Sequence, residues 1–253
     1  MAHLNYKSLT SCLLRSQLVG CAFNTRGLQN IGLAYALEPG LQKIYSHDPQ
    51  GLQRARRSHL KFYNTHPFWN PLLVGIFLSL ESKISRDLFP SASLPGVKST
   101  LVYTLSAIGD SFFSGSLLVT WALLTMVMVM AGFFWPAILL GIIFFVGLQL
   151  FKMYIFYQGY MQGIVFVQRL RRWNLINWGT RLKIVNALLV LCFWLVIWPF
   201  QWHTLYFIGV CIVGLIMAWT FRRIQWSREI FLAVVFLLSL LLPWEQMGNN
   251  FVF

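Results

Sequence analysis

SFFSGSLLVTWALLTMVMVMAGFFWPAILLGIIFFVGLQLF, residues 111–151, is an unbroken run of 41 residues without a charge, bounded by Asp110 and Lys152. A helix that crosses a bilayer takes ~20 apolar residues, so this run is long enough for two crossings. Trp135-Pro136 falls near its middle, where proline is a natural helix break. The stretch predicts a helical hairpin with spans at about 111–134 and 137–160.

The rest of the chain extends this reading. Residues 184–221 form a second uncharged stretch, which Trp198-Pro199-Phe200-Gln201-Trp202-His203 divides into spans at about 184–200 and 203–221. A shorter apolar run, 230–244, gives a fifth span at about 229–244. Composition agrees: 57% of residues are hydrophobic, only 11% are charged, and mean hydropathy is +0.63. Soluble domains carry ~25% charged residues, so too little polar surface exists to coat a soluble particle, and disorder is excluded by the same figures. The expected fold is an all-α membrane protein with amphipathic helices on the cytoplasmic side, one or two re-entrant or broken segments, and about five transmembrane helices.

The net charge of +13 is unevenly distributed. Residues 1–98 hold 11 of the 20 Lys and Arg, and eight of the other nine cluster at 169–183 and 222–228. With five spans, these clusters and the N-terminal third share one side, leaving Lys152 alone inside a span. The positive-inside rule makes that side cytoplasmic and places the C-terminus outside. No basic run interleaves with nucleic-acid signatures, so no nucleic-acid partner is expected.

Residues 1–67 read as amphipathic helices, one ending near Pro39-Gly40 and one over 51–63. Such helices lie on a membrane surface or pack on a partner subunit. Region 68–116 holds two segments that do not fit a simple span, joined by a loop at 83–99. Residues 68–80 are too short to cross and end at Glu81, which suits a re-entrant or interfacial segment. Residues 100–116 are broken by Gly109-Asp110 and Ser114-Gly115. A carboxylate in such a run faces a cavity or partner, or snorkels to water from a helix end. Asn64-Thr65-His66 offers donors and acceptors suited to a polyhydroxylated ligand, and equally reads as a helix boundary before Pro67. No His pair has metal-ligand spacing, the four cysteines form no CxxC, and no nucleophile motif or phosphate loop is present, so neither cofactor nor catalytic site is expected.

Several segments together resemble a known family. HLKFYNTHP (59–67), followed by an apolar run ending in SLES (79–82), resembles the IID component of the mannose/fructose/sorbose phosphotransferase system. SAIGDSFFSG (106–115) resembles that family's Gly-Asp motif, with Ser114 where the family has Trp. QGYMQG (158–163) resembles its Gly-Tyr motif inside a span. Asn24, Gln29, Gly32, Pro39 and Tyr45 fall at the family's upstream positions, although Arg26-Gly27-Leu28 stands where the family has Glu-Arg-Met.

The resemblance implies a non-enzymatic subunit in the bacterial inner membrane. It would pair with a IIC subunit to conduct a hexose, while soluble IIA and IIB proteins carry phosphate. It also gives Asn24, Asn64, Thr65, His66, Glu81 and Asp110 a role, in binding sugar hydroxyls or shaping the elements that do. The alternative is a IID relative with a structural or regulatory role and no transport of its own.

Overall fold

The computed structural model describes residues 4–197, 204–223 and 226–240. Helices dominate these residues, and extended pairing among them is limited to the isolated bridges Asn24–Leu28 and Leu28–Tyr63. They cluster into two units, Met1–Ile197 and Trp198–Phe253.

In the first unit, α1 (Tyr6–Ser16), α2 (Asn30–Ile44) and α3 (Pro49–His59) surround a short helix, α4 (Asn70–Ile84). α4 is apolar on every side and almost entirely buried, from Asn70 through Glu81 and again at Ile84. A helix hydrophobic all round belongs in a core. This explains its 13 uncharged residues: they are covered by protein.

The helix that covers α4 most closely is α7 (Phe134–Gln162). Two glycines set the approach. A Cβ on Gly75 would lie 2.4 Å from the Phe156 carbonyl oxygen, and one on Gly159 would lie 2.7 Å from that of Leu72. Small residues let helix backbones close to this distance.

α2 does not stop at Pro39-Gly40 as the sequence suggested; it continues to Ile44. Proline at 39 removes the N–H that would bond the Tyr35 carbonyl. Arg15 supplies a substitute donor, its Nη1 reaching Tyr35 O at 3.4 Å while its guanidinium lies over the Tyr35 ring. Gly40 faces Leu78 and Cys12, so the turn after the proline packs tightly on α4 and α1.

Three helical stretches among the described residues are long and apolar enough to cross a membrane: Ser91–Met130, Phe134–Gln162 and Ile164–Val196. The first contains α5 (Leu94–Gly109), a π-helical segment (Asp110–Leu117) and α6 (Leu118–Met130). Leu94-Pro95-Gly96, expected in the 83–99 loop, is instead the first turn of α5, where proline lacks no needed hydrogen bond. The Gly109-Asp110 and Ser114-Gly115 positions do not break the helix. They widen it, and a clamp to α9 (Leu175–Ile197) stabilises the widened turn. Ser116 Oγ lies 3.1 Å from Gly179 O, Asn186 Nδ2 donates to Ser116 O, and Thr120 donates to Asn186 Oδ1. Polar side chains join membrane helices in this way.

The hairpin turn lies at 131–133 rather than at Trp135-Pro136. Gly132 takes a left-handed φ of 83°, and Pro136 sits in the first turn of α7, where its missing N–H costs nothing. α8 (Ile164–Leu170) follows α7, and Asn174 in left-handed conformation starts α9.

In the second unit, α10 (Thr204–Arg223) and α11 (Ser227–Leu240) lie over the stretches read as the fourth and fifth spans, and neither is among the three stretches long and apolar enough to cross. The Trp198–His203 divider and residues 241–244 lie outside the described residues.

Candidate functional site

The extended segment 63–66 leads from α3 into α4 and is held as if in a sheet. Gln29 N–H donates to Tyr63 O at 2.9 Å, Tyr63 N–H donates to Gly27 O, and the Gln29 side chain donates to Thr65 O at 3.2 Å. Asn24 builds the loop behind it. Its oxygen accepts from the Arg26 and Gly27 N–H groups, and its amide donates to Leu28 O and Asn30 Oδ1. All of Asn24's capacity is therefore spent inside the loop, which holds Leu28 in a left-handed conformation.

His66 ends the segment. Its Nδ1 accepts from the Phe68 N–H at 3.3 Å, so the ring proton is on Nε2, which donates to Ser114 Oγ at 2.9 Å. The ring stacks on Phe113, with centroids 5.3 Å apart, and Gly109 passes beneath it. A Cβ at Gly109 would come within 2.4 Å of His66 Cβ, so the glycine gives the histidine its place. Burial pushes the imidazole pKa below its ordinary value; Asp110 opposes that fall and Lys152 adds to it. Thr65 is buried with no hydrogen-bond partner for its hydroxyl among the described residues. Asn64 is half-buried.

Asp110 opens the π-helical segment and is exposed. Among the described residues it forms no ion pair. Across from it on α7, Lys152 donates to Gln17 Oε1 at 2.9 Å and lies over the Phe68 ring. Twenty residues separate Asp110 from Met130, and eighteen separate Phe134 from Lys152. At ~1.5 Å per residue, both charges stand ~30 Å from the 131–133 turn, one hydrocarbon thickness away. The two lone charges of the hairpin thus share a level at the membrane boundary, on the side where the N-terminal helices gather.

Glu81 belongs elsewhere. It sits eleven residues along α4 from Asn70 and is buried, accepting from Tyr45 OH at 2.7 Å and pairing with His59 Nε2 at 2.8 Å. Burial holds the His59 pKa below its ordinary value, despite the carboxylate beside it. Beside this pair Lys98, also buried, donates to the carbonyls of Ser58, His59 and Lys61 and closes the C-terminal end of α3.

Of the six residues singled out in the sequence, Asn64, Thr65 and His66 share one segment, the packing of Gly109 on His66 brings Asp110 near the imidazole, Asn24 holds the loop bridged to Tyr63 through Leu28, and Glu81 pairs with Tyr45 and His59. Sequence reasoning missed His59, Lys98 and Ser114 as partners. Lys98 carried a signal, a cation opening an apolar helix; the partnership of Ser114 with a histidine 48 positions away carried none. Among the described residues no three His, Cys, Asp or Glu side chains gather as metal ligands.

Fold and site define a multi-helical membrane protein. A buried helical head meets membrane-crossing helices, and a polar cluster is left partly unpaired at the junction. The sequence matches the family described as PTS system mannose/fructose/sorbose family IID component over residues 3–191, and the chain belongs to that family. It is similar to the PTS system mannose-specific EIID component of Escherichia coli (strain K12), with 26% identity over 166 residues, 65% of this chain and 59% of that protein. It is also similar to the fructose permease IID component of Bacillus subtilis (strain 168), with 25% identity over 115 residues, 45% of this chain and 42% of that protein. The chain thus spans less than two thirds of the length of these curated relatives. In fold it resembles a chain in the cryoEM structure of the mannose transporter ManYZ with microcin E492, with TM-score 0.59 and 21% identity over 93% of this chain and 94% of that one. A second solved structure, described only as a membrane protein, gives TM-score 0.65 and 24% identity over 74% and 69%.

Proposed function

We propose that this chain is the IID membrane subunit of a mannose-type phosphotransferase sugar permease. It would sit in the bacterial inner membrane with its N-terminus cytoplasmic and its C-terminus outside, in a hetero-oligomer with a IIC subunit. IIA and IIB proteins would supply phosphate to the arriving hexose, and this chain would carry no phosphoryl group. The observation that carries this reading is Asp110: an exposed carboxylate at the membrane boundary, beside His66, with no ion-pair partner among the described residues. Charges in such positions face water, a ligand or a partner. Asn64 and the unpartnered Thr65 hydroxyl add hydrogen-bonding capacity on the same segment. Substituting Asn64→Ala or Asp110→Ala should abolish sugar uptake while the protein still inserts. Normal uptake by both variants would overturn the assignment.

A second reading, a IID relative with a structural or regulatory role and no transport, draws on Ser114. This serine stands where the family has Trp, and its hydroxyl takes the His66 ring proton, so both ring nitrogens are already engaged. It predicts no sugar dependence in any assay and tolerance of substitution at 64–66.

A further inference from the structure

A cavity of about 450 Å³ lies between α5, the α8–α9 junction and the start of α4. Its walls are apolar, including Leu105 and Ile108 on α5 and Leu170 and Leu175 on the opposite side. Its floor includes Trp69, fully buried, whose indole Nε1 has no hydrogen-bond partner among the described residues.

The rim has the opposite character. Arg171 lines the cavity, and Arg169 and Arg172 are exposed beside it. Asn174, in left-handed conformation, turns the chain so that the N-terminus of the 23-residue α9 opens at the same rim, with Leu175 and Ile176 in the lining. The first N–H groups of a helix are unsatisfied donors at the positive end of its dipole, which favours an anion. The cavity opens two to six residues from Asp110 along α5, so its mouth lies at the membrane boundary.

We infer that this cavity is a binding site for one anionic phospholipid. The phosphate sits among Arg171 and the α9 N-terminus, and the acyl chains leave along α9 toward the hydrocarbon. Charge complementarity, apolar walls and position at the headgroup level point to this occupant.

The test uses the full chain, together with any membrane partner that co-purifies. Phospholipid retained through mild-detergent purification is extracted and quantified by mass spectrometry. Thermal stability is measured in nanodiscs of phosphatidylcholine alone and of phosphatidylcholine doped with phosphatidylglycerol, and separately with inorganic phosphate added. The wild type should retain a single anionic lipid per chain and gain stability from phosphatidylglycerol. Arg171→Gln and the cavity-filling Ile108→Trp should each reduce retention several-fold and lose that gain, while Arg181→Gln on α9 should retain both. Equal retention in all variants, or equal stabilisation by inorganic phosphate, would overturn the inference. Cross-linking of Ile108→Cys to a co-purified protein in place of lipid would also overturn it, making the cavity a protein interface.

Discussion

Replacing Gly75 or Gly159 with alanine tests the packing that places the site. A Cβ at position 75 would lie 2.4 Å from Phe156 O and 2.9 Å from Tyr160 N. Both are backbone atoms of α7 and cannot rotate away, so α4 and α7 must separate by roughly 1 Å to regain ordinary contact distance. A gap of that size forfeits about a quarter to a half of the dispersion energy along the seam, which includes Leu72, Ile76 and Ile155. Overpacking costs ~1–3 kcal/mol, and the helix-propensity gain of alanine returns at most ~1 kcal/mol. Gly75→Ala should therefore destabilise by about 2 kcal/mol. Gly147→Ala on α7 is the control, because a Cβ there meets nothing within 4 Å. It should be neutral or stabilising by up to ~1 kcal/mol. Thermal unfolding in detergent, followed by tryptophan fluorescence, reads both. Shifts of the same sign and size at 75 and 147 would show that the α4–α7 backbones do not meet at Gly75.

Four further outcomes are expected. Glu81→Ala should destabilise by ~2–5 kcal/mol, because it strands the buried Tyr45 hydroxyl and His59, and thermal unfolding measures it. Lys98→Met should raise hydrogen exchange selectively in residues 56–61, because three carbonyls at the end of α3 lose their donor. His59 and His66 have folded pKa values lowered by burial, so the unfolded chain binds more protons. Stability should be full above the ordinary imidazole pKa of ~6.5 and fall as the pH drops below it, and His59→Gln should flatten a melting-temperature profile across that range. Cys21 is exposed whereas Cys12 is buried with its thiol pushed up to about 11, so a maleimide should label Cys21 and spare Cys12 in the folded protein.

The apolar run 111–151 held most of the architecture in plain view, because length without charge is a direct constraint in a bilayer. What it hid was local. Pro136 marked the hairpin only approximately, since proline is tolerated in a first turn and the actual reversal needed Gly132. Pro39 misled for a different reason: the Arg15 side chain, distant in sequence, takes over the carbonyl bond that proline forfeits. Residues 68–84 showed their apolar character but not what covers them, because a buried helix and a re-entrant one have the same composition. In the site, His66 and Asp110 were visible as polar residues in apolar surroundings. Their proximity was not, because Gly109 creates it by lacking a side chain. Glu81 and Asp110 looked alike in the sequence, and what the sequence did not show is that Glu81 has Tyr45 and His59 as partners while Asp110 has no ion pair among the described residues.

Affinity purification of the tagged chain in mild detergent, with mass spectrometry of what co-elutes, asks whether the chain works as one subunit of a permease. A stoichiometric polytopic membrane partner should co-elute with it. Recovery of the chain alone and monodisperse would count against the permease reading.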